Sequence, residues 1–517
     1  MEKTEIWFYY NLRSMFFFGG IIMKTVAGID LGTQSMKVVV YDYDQKKIIC
    51  SASQAVDMIS GNDGTREQKT EWYDAALKTC FGNIPEDVKK TICAMGVSGT
   101  QHGFVPLDAE GNPLYNIKMW NDTSTTEECR LITETVGGEE AVIAEVGNLV
   151  LTGFTAPKIL WLKRNKPELY AKLHYVMLPH DYINFKLTGN YCMEYGDASG
   201  TALFNPKTRT WSDKVCAAVD ENLRKILPDF VKSDEPCGYV VKAMADELGI
   251  PEGIPVSVGG GDNMCGAMGT GAVADGVLTM SMGTSGTLYG FSASPIADPA
   301  NGISGFCSST DGWLPLLCTM NCTVATENIR ALFGLGVKDF DAVAAEAEIG
   351  ASGVVVLPFF NGERTPNLPN GRASIMGLTL ANSERKNICR AAMESAVFAL
   401  RGGLDSFRAL GFAPKEIRLT GGGAKSPLWR QMVADILGLP VKIPVASETA
   451  AFGAALQALW CREKLDGNSM TMEQICDAHV VLDDSCTVTP CAESVAKYEE
   501  AYKEYLKYLD AVMPLYK

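Results

Sequence analysis

The sequence predicts an α/β protein of two similar domains, and three observations predict it. At 517 residues the chain is far longer than one hydrophobic core can serve, so it should divide. Two passages about half a chain apart share one shape: strand, Gly-Thr-polar turn, strand. The part that follows the second passage carries apolar residues at helical spacing.

In the first passage Val26 to Asp30 is apolar and ends on a carboxylate, Leu31-Gly32-Thr33-Gln34 turns, and Lys37 to Tyr43 is an alternating, β-branched strand. Asp44 to Lys47 turns again into Ile48-Ile49-Cys50, which makes a β-meander. In the second passage Val277 to Met282 runs into Gly283-Thr284-Ser285-Gly286 and then Thr287 to Phe291. A repeated architecture accounts for both. Ile388, Ala391, Ala392, Ser395, Ala396 and Ala399 mark a helix with a face of small residues. Ser426-Pro427 caps and opens another, carrying Trp429, Met432, Val433, Ile436 and Leu437. A last helix spans about Ser494 to Tyr508, with Tyr498, Tyr502 and Tyr505 as core packing. The boundary falls near Ala272 to Asp275, giving domains at 24–273 and 274–517. No chemistry is assigned to residues 464–490.

Composition excludes several classes. A formal charge of −15 argues against a nucleic-acid partner, which would need a basic face. It is compatible with ATP, because backbone dipoles and a metal can hold phosphates inside an acidic protein. The sixteen cysteines are scattered through strands and helices, as reduced thiols of a cytoplasmic protein would be. Cys318 and Cys322 have no second pair and no His at ligand spacing, which disfavours zinc. Ile6 to Ile22 is aromatic and apolar but broken by Asn11, Arg13 and Ser14, so it is too short and polar to span a membrane. It also lacks a signal-peptide pattern. Residues 1–23 read as an extension outside the fold, from a start codon set too early, with weak membrane attachment as the competing reading.

Phosphoryl transfer needs NH donors around phosphates, a divalent metal and a base. Gly32-Thr33 and Gly283-Thr284-Ser285-Gly286 offer NH groups and hydroxyls. Gly421-Gly422-Gly423-Ala424, between an apolar strand and the Ser426-capped helix, suits a nucleotide. Each is weak alone in a chain with 50 glycines, and no G-x-x-x-x-G-K-[ST] loop is present. Asp262 follows three glycines and precedes Asn263, where a substrate can approach it. Spacing alone favours its capping the helix that follows.

Two longer motifs decide between these readings. Gly153-Phe154-Thr155-Ala156-Pro157-Lys158-Ile159-Leu160-Trp161-Leu162 is one, and Ala373 through Asn387-Ile388 to Glu394 is the other. With Ile29-Asp30-Leu31-Gly32-Thr33, Gly362-Glu363-Arg364-Thr365-Pro366 and the glycine turns, the chain resembles the FGGY carbohydrate kinases, and within them the xylulokinases, from about Lys24 onward.

The resemblance implies two ribonuclease-H-like domains of the actin-like ATPase type, closing over a cleft. It implies a kinase that uses ATP and Mg2+ on D-xylulose, with Asp262 as catalytic base and Asp30 facing the metal. Thr33, Gln34 and Ser35 in one hairpin and Gly283, Thr284 and Ser285 in the other would grip phosphates, and Gly422, Gly423 and Ser426 would lie beside the adenosine. Gln101 and His102, in Gly99-Thr100-Gln101-His102-Gly103, would meet the sugar, together with Trp120, Asp122, Asp262 and Asn263. Where many relatives carry Arg two positions beyond that Asp, this chain has Ser124, which leaves ribulose and erythritol as alternatives. A nucleotide-binding relative without catalysis is the reading from another class. The partners expected are the sugar and ATP, with self-association into a homodimer left open and no membrane partner.

Overall fold

The computed structural model describes residues 24–516, so the N-terminal extension and its two readings lie outside the described residues. The first meander forms as expected: β1 (Thr25–Leu31), β2 (Ser35–Asp42) and β3 (Lys47–Ala55) pair antiparallel in sequence order. β4 (Ile92–Gly99) and β6 (Pro255–Ser257) extend the sheet in parallel from β1, and β5 (Pro236–Tyr239) closes the edge beside β6. The order is β5-β6-β4-β1-β2-β3.

The second sheet repeats this plan. β7 (Val277–Met282), β8 (Gly286–Gly290) and β10 (Trp313–Thr319) are its meander, with β9 (Ile303–Cys307) outside β10. β11 (Glu416–Thr420) and β12 (Val441–Lys442) add in parallel beside β7. In both sheets, then, three antiparallel strands are followed by two parallel ones added next to the first. This is the actin-like pair of α/β domains, and it explains the repeated turns.

Buried apolar residues form a core around each sheet. A third core belongs to a mostly helical lobe between β4 and β5, including helix Thr155–Asn165. The helix predicted around Ile388 runs from Arg385 to Ala409. The last helix is Ala492–Val512, with Tyr498, Tyr502 and Tyr505 buried as expected.

One helix sits where chain order would not place it. Thr449–Leu465, from the C-terminal half, packs against β1 and β4 of the first sheet and against helix Asp262–Thr270. The two helices touch backbone to backbone: a Cβ on Gly453 would lie 1.8 Å from the Cys265 carbonyl oxygen, and one on Gly269 would lie 1.9 Å from that of Thr449. Small residues are what allow so close a crossing.

Candidate active site

The site forms at the carboxyl ends of parallel strands, where open α/β sheets bind ligands. Asp30 on β1 is level with Ser98 on β4, which is level with Gly260 of the two-residue strand Gly260–Gly261. Asp262 follows directly as the first residue of its helix, with Gly261 at the cap position. The carboxylate is therefore no cap in the usual sense. Its Oδ1 accepts from Asn263 Nδ2 at 3.0 Å, and the helix N-terminus behind it favours negative charge.

Gln457, on helix Thr449–Leu465, staples the turn that leads to Asp262. Its Oε1 accepts from Gly259 N (2.8 Å) and Ser257 Oγ (3.0 Å), and its Nε2 donates to Gly259 O (3.0 Å). The strand of Asp30 and the helix of Asp262 thus rest on one support.

Both carboxyls are perturbed upward. Burial, then the charges of Asp30 and Asp197, push Asp262 up to about 8. Burial pushes Asp30 up to about 6 against the Ser98 hydroxyl, which donates to its Oδ1 at 3.1 Å, and the nearby Lys37. Each keeps a partly open face. The Asp30 charge contributes to the Asp262 shift, so the two carboxyls are near enough to share a cation.

The two phosphate-suited hairpins are built alike. Gly32 N donates to Ser35 O (3.0 Å), and Gly283 N donates to Ser285 O (3.1 Å). In both, the residue at the tip, Gln34 or Thr284, is exposed, while Thr33, Ser35 and Ser285 are half-buried. Beside the second hairpin, β11 delivers Gly421 next to Met282; with φ at +87° and the Met282 carbonyl 2.6 Å from where its Cβ would be, glycine is required. Gly422 has open space around its Cα, and Gly423 is packed under Met282 and Trp429. The Ser426 hydroxyl caps helix Pro427–Leu437 by accepting from Trp429 N (3.2 Å).

Gln101 Oε1 accepts from Asn263 Nδ2 at 2.7 Å, so the segment expected to meet the sugar lies beside Asp262. Gln101 Nε2, His102 Nδ1, Asn121 Oδ1 and Thr100 Oγ1 are buried with no partner among the described residues. Buried polar groups normally have partners, and these four atoms are free to bond a polar ligand. Burial, then the charges of Lys158 and Arg364, hold His102 well below its ordinary value, so it is neutral. Its ring lies over Gly200, where a Cβ would come within 2.2 Å, and beside Phe154 and Phe306. Arg364 belongs to the second half of the chain, so both halves contribute to the surroundings of His102.

Trp120 Nε1 donates to Thr33 Oγ1 (2.9 Å), joining the Trp120 segment to the first hairpin. Asp122 is the carboxylate that the resemblance places against sugar hydroxyls. It is fully buried, and both oxygens are committed: Oδ2 to Arg66 N (2.9 Å) and Lys118 Nζ (3.1 Å), Oδ1 to Ser124 N (3.0 Å) and Ser124 Oγ (2.6 Å). With these four donors in place its lone pairs are filled, so a sugar hydroxyl would have to displace one of them.

Sequence reasoning overlooked a buried charge cluster beside Asp262. His180 Nδ1 bonds Asp197 Oδ2 (3.1 Å), and Nε2 forms an ion pair with Asp181 Oδ1 (3.0 Å). Burial opposes the imidazolium, but the two aspartates overcome it and raise His180 well above its ordinary value. Asp197 in turn contributes to the upward shift of Asp262. The signal, an Asp pair around an unremarkable His, has no spacing that would single it out.

Comparison with known proteins agrees with this geometry. The family model for the FGGY family of carbohydrate kinases, N-terminal domain, matches residues 25–269, and that for the C-terminal domain matches residues 278–461. The chain is 41% identical over 491 residues to a xylulose kinase of Haemophilus influenzae, covering 93% of this chain and 99% of that protein. It is 36% identical over 439 residues to a xylulose kinase of Streptomyces coelicolor, covering 84% and 87%. The crystal structure of xylulose kinase from Bifidobacterium adolescentis superposes with a TM-score of 0.80 at 28% identity, covering 95% of this chain and all of that one. With paired α/β domains, two like hairpins and a carboxylate at the cleft, the chain belongs to the FGGY family of carbohydrate kinases and is an ATP-dependent sugar kinase.

Proposed function

We propose that the chain transfers the γ-phosphate of MgATP to the 5-hydroxyl of D-xylulose, with Asp262 as general base. The observation that carries this is the site around Asp262: a carboxyl near 8, open to the cleft, beside buried Gln101, His102 and Asn121 atoms that lack partners. A base with a pKa close to the working pH is well matched to taking a proton late in a loose transition state. The orphaned donors and acceptors suit a small polyhydroxyl compound, and they reject stereoisomers that leave them unpaired. The names of the similar proteins point to xylulose among such compounds.

The residues also fit a magnesium ion. Mg2+ is usually held by one or two carboxylates plus phosphates and water, and Asp30 with Asp262 supplies such a pair. When bound, the ion would neutralise charge on the transferring phosphoryl group. In this reading the hairpins at Thr33-Gln34-Ser35 and Gly283-Thr284-Ser285 hold the phosphates, and the Gly422-Gly423 loop borders the adenosine. Gln101, His102, Trp120 and Asn263 orient the sugar so that its terminal hydroxyl faces Asp262. Closure of the halves excludes water and limits futile hydrolysis. The halves divide at 273/274, between the two matched spans. Sixteen unpaired cysteines suit a cytoplasmic setting.

An ADP-release assay over a panel of pentuloses and polyols tests the substrate. D-xylulose should give the highest kcat/KM; a higher value for ribulose or erythritol would replace it. Asp262→Ala should remove most turnover and leave ATP binding in place, and full activity in that variant would overturn the assignment of the base.

A further inference from the structure

Lys158 is a charged side chain in an unusual place. It is completely buried in helix Thr155–Asn165, and among the described residues no carboxylate forms an ion pair with it. Desolvation lowers its pKa to about 7. Burying an ammonium without a partner charge is expensive, and an apolar residue of similar length would pack the same helix at less cost. What the ammonium holds instead is backbone. Nζ donates to His102 O and to Gly153 O, each at 2.7 Å.

Those two carbonyls belong to segments that reach the sugar side. His102 has φ at +65°, in the left-handed region that a non-glycine residue occupies only when its surroundings hold it there. Thr155 Oγ1 donates to the same His102 oxygen at 3.1 Å, and the Phe154 ring lies 4.7 Å from the imidazole. Gly153 passes so close to Trp120 that a Cβ would be 2.4 Å from the Trp120 carbonyl oxygen. One ammonium therefore ties the Gln101-His102 turn to the backbone beside Trp120.

We propose that Lys158, assisted by Thr155, is a positioning residue for the sugar site, clamping the left-handed His102 peptide so that Gln101 and His102 face the substrate. This rests on the sugar-kinase reading of the same site. The clamp acts on the sugar and not on ATP, because it touches neither hairpin nor the Gly422 loop.

The test is steady-state kinetics on the full chain, with the sugar that the wild type uses best and ATP varied in turn, for Lys158→Met and Thr155→Val. Thr155→Val removes one hydroxyl at nearly constant shape, so it remains informative even where Lys158→Met fails to fold. The KM for sugar should rise about fivefold in Thr155→Val and about a hundredfold in Lys158→Met, as the loss of a neutral and of a charged hydrogen bond would give. The KM for ATP should stay within about twofold of wild type in both. A sugar KM unchanged in Thr155→Val, or an ATP KM that rises in step with it, overturns the clamp while the wild type still phosphorylates sugar. A wild type that phosphorylates no sugar in the panel overturns the functional reading, and the clamp with it.

Discussion

Asp262→Asn should make the ligand-free protein more stable while it destroys activity. The folded carboxyl holds its proton up to about 8, whereas an unfolded Asp releases it near 3.8. Folding therefore retains a proton that the unfolded chain loses, and stability falls as pH rises through this window. The contribution is fully present below 3.8, declines steadily above it, and levels off beyond about 8. Each pH unit is worth about 1.4 kcal/mol, so the ceiling at pH 8 is on the order of 5 kcal/mol. Asp262 keeps an open face toward the cleft, and water there screens the charges of Asp30 and Asp197; about 2 kcal/mol is the expected gain at pH 8. The asparagine carries no proton to release, so its advantage should vanish near pH 4. Calorimetric melting of both proteins from pH 4 to 9, without nucleotide and with a chelator present, measures this directly. Equal melting temperatures at pH 8, or a gap that narrows as pH rises, would refute the claim that burial and two neighbouring carboxylates hold this group against ionisation. The same variant should lose at least about a hundredfold in kcat, as removal of a general base does.

Three further perturbations follow from the packing. Gly453→Ala drives a methyl into the Cys265 carbonyl, so the variant should be largely insoluble or melt many degrees lower, by thermal shift. Lys118→Met leaves Glu67 and Asp122 buried without their cation, which sits 3.1 Å from each; a loss of about 3–5 kcal/mol in denaturant unfolding is expected. Ser426→Ala removes a helix cap at the glycine loop and should cost about 1 kcal/mol, with a higher KM for ATP and an unchanged KM for sugar.

Much of the fold was legible because local patterns and tertiary structure agree. The meander at Val26 to Cys50, its counterpart after Val277 and the Ser426-capped helix carry their own signals, in β-branched alternation, glycine turns and a Ser-Pro pair. The placement of Asp262 was legible only through ordered motifs, since its spacing alone pointed to a cap. Three features escaped for physical reasons. Helix Thr449–Leu465 is apolar and small on nearly every face, which marks it as buried without saying against which sheet. Asp122 has the chemistry of a sugar ligand, but Lys118 and Arg66 occupy it, and only three-dimensional contact reveals that. Lys158 reads in sequence as one more basic residue of a helix; its carbonyl partners lie 5 and 56 positions away in the chain.

The helix that crosses between the halves also constrains how such a kinase can close. Asp30 sits on β1, and the turn before Asp262 is stapled by Gln457; both therefore ride on Thr449–Leu465. The second hairpin and the Gly421–Ala424 loop are fixed to each other instead, through the pairing of β7 with β11 and the contact of Gly421 with Met282. The carboxylate pair thus shares one support, and the second hairpin is held chiefly by another. A motion between the halves would therefore alter the distance from Asp262 to the second hairpin, while the Gln457 staple would keep the Asp262 turn with the sheet of Asp30. The charge of Asp30 helps to push the Asp262 carboxyl up, and the glycine crossing and the glutamine staple are what hold Asp262 in the place where that charge acts.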